Sequence, residues 1–294
     1  MKYLLTLLIL SLLACGQADQ PDDVRISTEL RVRVEAKATD YKARWRPETS
    51  CDSLLFNSLS VVGGANHSVQ QYRNEAGRWF RTPAKDCYPE RSKSSISRDM
   101  FLGVIWWAWT SKNLDELEGI YQYGAANSWV MGEGVPSRTV MTPVLVGTLS
   151  KAICALGGKC RAIRHTPAVW GTVFEGFQRH LQLLHILLRA DIDGYLTSAD
   201  QGVILSLWTD HSQNPLVAYA RGRWITGNLN HTAGLLLKEE WYPSDRLPTS
   251  RDRCSGWLPE RDPDTDNYLP CDRNHVHTGG DLLFVWALME RALR

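Results

Sequence analysis

The chain has 294 residues, and its 33 Lys and Arg residues almost balance its 32 Asp and Glu residues, for a net charge of +1. This balance argues against a nucleic-acid partner, because such proteins carry an excess of positive charge that neutralises phosphates. No internal repeat or low-complexity block divides the sequence, so its length predicts one large domain.

The N-terminus has the layout of an export signal. Lys2 precedes an apolar run at residues 3–13, and small residues follow it. This order is typical of a secretory signal, and the run is too short to span a bilayer. No later apolar run reaches the length of a membrane span either.

Residues 12–15, with the sequence Leu-Leu-Ala-Cys, resemble the lipobox of a bacterial lipoprotein. The resemblance implies that residues 1–14 are removed and that Cys15 is lipidated. It also implies release to the outer membrane, since Gly16 rather than Asp follows the cysteine. We expect membrane contact through the lipid alone, because no later apolar run is long enough to span the membrane. The alternative is an ordinary secretory signal with a chance cysteine.

Residues 15–28 are mostly polar and predict a tether between the lipid and a single domain at 29–294. Apolar and charged residues alternate from Leu30 to Ala36, and this period of two predicts a short strand.

The remaining pattern is mostly helical. Ser97 precedes a long apolar run that is typical of a helix start. Residues 177–190 are apolar on nearly every face, which predicts an inner helix. We therefore expect a mainly α fold of helical hairpins in an α/α barrel or incomplete toroid. Further helices are predicted at 114–127, 140–156, 197–211 and 281–293, with weaker ones near 52–62 and 229–238.

Six cysteines besides Cys15 agree with export, because an even number in an oxidising compartment predicts disulfides. Fifteen connectivities are possible for six cysteines. Pairing between neighbours along the chain predicts three local bridges: Cys51 with Cys87, Cys154 with Cys160, and Cys254 with Cys271.

Three polar clusters lie at predicted helix starts, and the starts of inner helices can converge on one end of a barrel. Carboxylates and imidazoles are the groups that general acid and base catalysis needs. The alternative is that the aspartates only complement helix N-termini. The candidate catalytic residues are Asp99, Glu175, His180, His275, His277 and Asp281.

Twelve tryptophans are unusually many, and aromatic rings stack well on sugars. Trp106 and Trp286 lie in apolar runs and are predicted to be core residues. Four others lie in loop-like sequence, where an exposed aromatic side chain indicates a ligand. These are Trp170, Trp224, Trp241 and Trp257.

The helical pattern, the Ser97-Arg98-Asp99 helix start and the late His277-Thr278-Gly279-Gly280-Asp281 segment resemble α/α-toroid glycan-active enzymes, a group of polysaccharide lyases and glycuronyl hydrolases. For a hydrolase, the resemblance implies that two of Asp99, Glu175 and Asp281 act as acid and base. For a lyase, it implies that His180 or His275 abstracts a proton beside a uronate carboxylate held by Arg98 or Arg138.

A lipoprotein that binds glycan, peptidoglycan or a protein partner without turnover is the alternative function. The loop at 240–280 is too long for a mere connection and includes a possible calcium site. Asp262, Asp264 and Asp266 have calcium-loop spacing, but Asn267 and Arg273 replace the usual Gly and Glu, which favours the alternative of a solvated acidic loop. His275, His277 and Asp281 lack a fourth zinc ligand, so we expect no metal there.

Overall fold

The computed structural model describes residues 21, 23–49, 51–85, 87, 95–132, 138–161, 176–245 and 280–294. The protein is mainly helical, as expected. The α-helices are α1 (Thr28–Arg44), α2 (Ser53–Val62), α3 (Arg98–Thr110), α4 (Leu114–Ala126), α5 (Pro143–Ala155), α6 (Gly176–Asp193), α7 (Ser198–His211), α8 (Pro215–Arg221), α9 (Asn230–Leu236) and α10 (Gly280–Ala292).

The prediction of a strand at residues 30–36 is wrong, because this segment lies inside α1. Ser27 caps the helix by accepting a hydrogen bond from the Leu30 backbone nitrogen at 3.3 Å. Buried Val34, Ala38 and Tyr41 recur at helical spacing. The alternation of seven residues was too short a window to reveal this period.

Most other predicted helices are confirmed within a few residues, and ordinary caps begin three of them. The side chains of Asn113, Thr142 and Thr197 each accept a backbone hydrogen bond at the start of α4, α5 and α7. Helix α8 was not predicted, although Asn214 caps it and Pro215 is its first residue. A 3-10 helix at Val69–Tyr72 and a π-helix at Gly222–Thr226 complete the helical elements of the described ranges.

Two short strands, β1 (Val130–Gly132) and β2 (Thr139–Val140), pair antiparallel. Val130 is opposite Val140, and Gly132 is opposite Thr139. This pair lies between α4 and α5 in the chain.

The core is built around α2, α3 and α10. Helices α2 and α3 run side by side in the same direction. Their starts lie together, since the Asp52 charge raises the pKa of Asp99, and their ends lie together, since Val62 and Thr110 line one groove. A Cβ atom at Gly103 would lie 2.9 Å from the Leu55 carbonyl oxygen, so glycine permits this close approach.

Two of the three predicted disulfides are present: Cys51–Cys87 and Cys154–Cys160. Cys254 and Cys271 lie outside the described residues. Within the part of the chain that the structure describes, no helix is both long enough and apolar enough to cross a bilayer.

Candidate active site at the starts of two helices

Two carboxylates lie at the neighbouring starts of α2 and α3. Asp52 occupies the cap position of α2, and its side chain makes no capping hydrogen bond to that helix. Asp99 is the second residue of α3. Because the two helices run in the same direction, their first turns bring both carboxylates to one end of the core. We call Asp52, Arg81 and Asp99 the carboxylate cluster.

Arg81 holds the first carboxylate in place. Its Nη1 atom donates to Asp52 Oδ1 at 2.9 Å and to the Cys51 carbonyl oxygen at 3.2 Å. The Arg81 side chain is 9% exposed, whereas that of Asp52 is 54% exposed. The ion pair therefore fixes Asp52 while leaving it open to solvent.

The second carboxylate lies in a different environment. Asp99 is partly accessible, yet the protein around its carboxyl group removes water, and this burial raises its pKa. The Asp52 charge raises it further, while a contact with Ser97 and the Arg81 charge act in the opposite direction. Burial outweighs the effects that lower the pKa, so Asp99 holds a proton more tightly than an ordinary aspartate.

These two environments divide the chemistry between the carboxylates. A carboxyl group with a raised pKa is suited to donate a proton, and a solvent-facing carboxylate fixed by arginine is suited to accept one or to attack. Pairs of titratable groups in contrasting surroundings are the usual sign of an acid and its partner base. The carboxylate cluster can therefore support acid and base catalysis.

A polar network extends from the cluster along α2, and we call Glu48, Asn57, His67 and Tyr72 the Tyr72 network. Asn57 Nδ2 donates to the Tyr72 hydroxyl at 2.6 Å and to the Glu48 carbonyl oxygen at 2.9 Å. Asn57 Oδ1 accepts from the Glu48 backbone nitrogen at 2.7 Å. His67 Nε2 lies 3.3 Å from the Tyr72 hydroxyl.

The Tyr72 network joins the surface to the interior. Tyr72 is buried, and this burial raises its pKa, whereas contacts with Ser53 and Asn57 lower it. His67 is half-buried, which lowers its pKa, and its ring meets the edge of Trp45. Ser53 also donates to the Arg81 carbonyl oxygen at 3.0 Å, so it connects this network to the carboxylate cluster.

The structure distributes the sequence-predicted site residues over several places. Arg98 and Arg138 are exposed, the first beside Asp99 at the start of α3. His180 is 4% exposed within α6, and burial lowers its pKa to about 3. Asp281 is fully buried and accepts a hydrogen bond from the Tyr242 hydroxyl at 3.1 Å. The charged neighbours of Asp99 are instead Asp52 and Arg81.

Trp224 and Trp241 are core residues, with only 5% and 4% of their surfaces exposed, rather than loop residues open to a ligand. Trp224 lies in the π-helix, under the guanidinium group of Arg223. The Lys238 ammonium lies 4.7 Å from the centre of the Trp241 ring.

Several sequence-predicted positions lie outside the described residues. They are Cys15, Trp170, Glu175, Trp257, Asp262, Asp264, Asp266, His275 and His277. Among the residues that are described, no group of three or more His, Cys, Asp or Glu side chains is arranged to hold a metal ion.

Sequence reasoning found Asp99 but missed Asp52, Arg81 and Tyr72. A signal was available, because the predicted Cys51–Cys87 bridge brings the residues beside each cysteine together. Asp52 follows the first cysteine, and Arg81 precedes the second by six positions. Nothing in the local sequence marked Tyr72, which contacts Asn57 only through the tertiary fold.

The chain matches no protein-family model, no curated protein and no solved structure. Its function must therefore be argued from its own residues.

Proposed function

We propose that this protein is a lipid-anchored envelope hydrolase that cleaves extracytoplasmic glycan, with Asp99 as the proton donor and Asp52 as the base or nucleophile. The observation that carries the proposal is the contrast between the two carboxylates, one with a pKa raised by burial and the other held by Arg81. Glycosidic bonds are commonly hydrolysed by such pairs of carboxyl groups.

The shared direction of α2 and α3 supports the architectural part of the proposal. Inner helices of an α/α toroid would begin at one end, and the carboxylate cluster lies where these two helices begin. The proposal extends this arrangement to the remaining helical hairpins. The lipobox resemblance at residues 12–15 supports the anchor and the envelope location.

Burial of His180 argues against this residue as the base of a lyase, whereas His275, the other candidate base, lies outside the described residues. A lyase base must reach a sugar carbon, whereas His180 is enclosed within α6. Its pKa of about 3 also makes the imidazole a weak proton acceptor.

The test is turnover by the purified, disulfide-bonded protein on a panel of acidic and neutral bacterial glycans. We expect new reducing ends without the ultraviolet absorbance of unsaturated sugars. Asp99→Asn should lower kcat by roughly 100-fold or more, because general acid catalysis contributes at least that factor. Asp52→Asn should do the same.

The matched control is Asp115→Asn. Asp115 is also the second residue of a helix, α4, but it is exposed and outside the carboxylate cluster. Equal activity of the Asp99→Asn variant and the Asp115→Asn control would overturn the catalytic assignment. Saturable glycan binding without turnover would instead favour the non-enzymatic lipoprotein.

A further inference from the structure

A groove of about 300 Å³ lies at the opposite end of α2 and α3 from the carboxylate cluster. It is formed where these two helices end and where the last turns of α10 pass them. This volume is at the small end of the range for ligand sites, so it suits a molecule of about amino-acid size. Its lining residues are Val61, Val62, Trp107, Thr110, Ser111, Ala287, Glu290, Arg291 and Arg294.

One part of the groove is apolar. Val61 and Val62 come from the last turn of α2, Trp107 from α3 and Ala287 from α10. The hydroxyl groups of the α3 residues add little polarity, because Thr110 donates to the Trp106 carbonyl oxygen at 2.9 Å and Ser111 to that of Trp107 at 2.8 Å. This part is therefore fitted to an aliphatic or aromatic side chain.

Two opposite charges flank the apolar part. Glu290 and Arg294 are four residues apart along α10 and its end, and among the described residues neither has a hydrogen-bond or ion-pair partner. Glu29 and Arg33 of α1 have the same spacing and do pair, at 3.6 Å. Arg291, by contrast, is bound to Asp191. The groove thus presents one uncompensated carboxylate and one uncompensated guanidinium group.

We propose that this groove binds a free α-amino acid with an apolar side chain, as a site separate from the proposed glycan chemistry. Glu290 would accept hydrogen bonds from the ligand ammonium group, and Arg294 would donate to its carboxylate. The side chain would contact Val61, Val62 and Trp107. The negative ends of the α2 and α3 dipoles face this end of the molecule and favour the ammonium group.

The first test compares leucine with two blocked analogues, using isothermal titration calorimetry on the intact protein. N-acetyl-leucine lacks the ammonium group, and leucine amide lacks the carboxylate. We expect saturable binding of leucine and about tenfold or more weaker binding of each analogue, because each loses one charge-assisted contact. Equal affinity for all three compounds, or no binding at millimolar leucine, would overturn the proposal.

The second test assigns the contacts to residues. Glu290→Gln should weaken the binding of leucine and of leucine amide, which both carry the ammonium group, and bring the affinity of N-acetyl-leucine closer to that of leucine. Arg294→Gln should weaken the binding of leucine and of N-acetyl-leucine, which both carry the carboxylate, and bring the affinity of leucine amide closer to that of leucine. Glu29→Gln and Arg33→Gln, at the same helical spacing outside the groove, are the matched controls and should bind as the unaltered protein does. Unchanged leucine affinity in both groove variants would refute the site even if leucine binds elsewhere.

Discussion

Asp99, His180 and Asp281 are all candidate catalytic residues from the sequence, but their surroundings in the fold differ. Asp281 accepts a hydrogen bond from Tyr242 in the core, and its other carboxylate oxygen accepts from the Leu282 backbone nitrogen at 3.0 Å. His180 is enclosed by α6 and its neighbours. Only Asp99 combines partial access with a second carboxylate and an arginine. Residue type alone could not separate these three environments.

The raised pKa of Asp99 has a consequence for stability that is independent of any substrate. Below the ordinary aspartate pKa both the folded and the unfolded chain hold the proton, so the stability that protonated Asp99 contributes is fully present. As the pH rises towards the raised pKa, the unfolded chain releases its proton first and the folded protein loses stability. We expect Asp99→Asn, which cannot ionise, to gain stability relative to the unaltered protein over this pH interval.

Denaturant unfolding at a series of pH values from the acid range to neutrality measures this difference. Asp115→Asn, at the same position of an exposed helix start, is the reference for an ordinary aspartate. A difference between the Asp99→Asn variant and the unaltered protein that stays constant, or that falls as the pH rises, would contradict a raised pKa of Asp99.

At the scale of elements, a close approach between α2 and α3 depends on glycine. Gly103 of α3 faces the backbone of Leu55, and a Cβ atom there would lie 2.9 Å from a carbonyl oxygen, which cannot rotate away. Gly202 of α7 has nothing within 4 Å of the same position. Two glycines in helix interiors thus have opposite physical situations.

We expect Gly103→Ala to lower the free energy of unfolding by about 1–3 kcal/mol, because overpacking must push α2 and α3 apart. Gly202→Ala should raise it by about 0.5–1 kcal/mol, because alanine loses less backbone entropy in a helix. Thermal and denaturant unfolding of the two variants provide the comparison. Two changes of the same sign would contradict the assigned packing.

The elements that could be predicted were those with long apolar periodicity and an ordinary cap. The sequence at 114–127 predicted α4 almost residue for residue, and 197–211 predicted α7. Helix α1 was missed because its buried face becomes visible only over Val34, Ala38 and Tyr41. The candidate site was only half predicted, since Asp99 marks a helix start while Asp52 and Arg81 meet through the Cys51–Cys87 bridge and the fold.

At the scale of the whole molecule, the parallel pair α2 and α3 gives the protein two chemically different ends. The starts of the helices carry the carboxylate cluster, and their ends carry the groove with Glu290 and Arg294. The Cys51–Cys87 bridge lies at the first end, where the Cys51 carbonyl oxygen contacts Arg81. The Cys154–Cys160 bridge instead closes the segment that ends α5.

These positions predict different effects for the two disulfides. Removing Cys51–Cys87 by the double change to alanine should destabilise the protein by roughly 2–4 kcal/mol, because the bridge joins residues 36 positions apart. It should also reduce glycan turnover, because Asp52 and Arg81 flank the bridge. Removing Cys154–Cys160, which spans six positions, should cost about 1–2 kcal/mol less and leave turnover unchanged. Loss of turnover in both double variants, under conditions where both are folded, would mean that the bridge near the carboxylate cluster has no special part in positioning it.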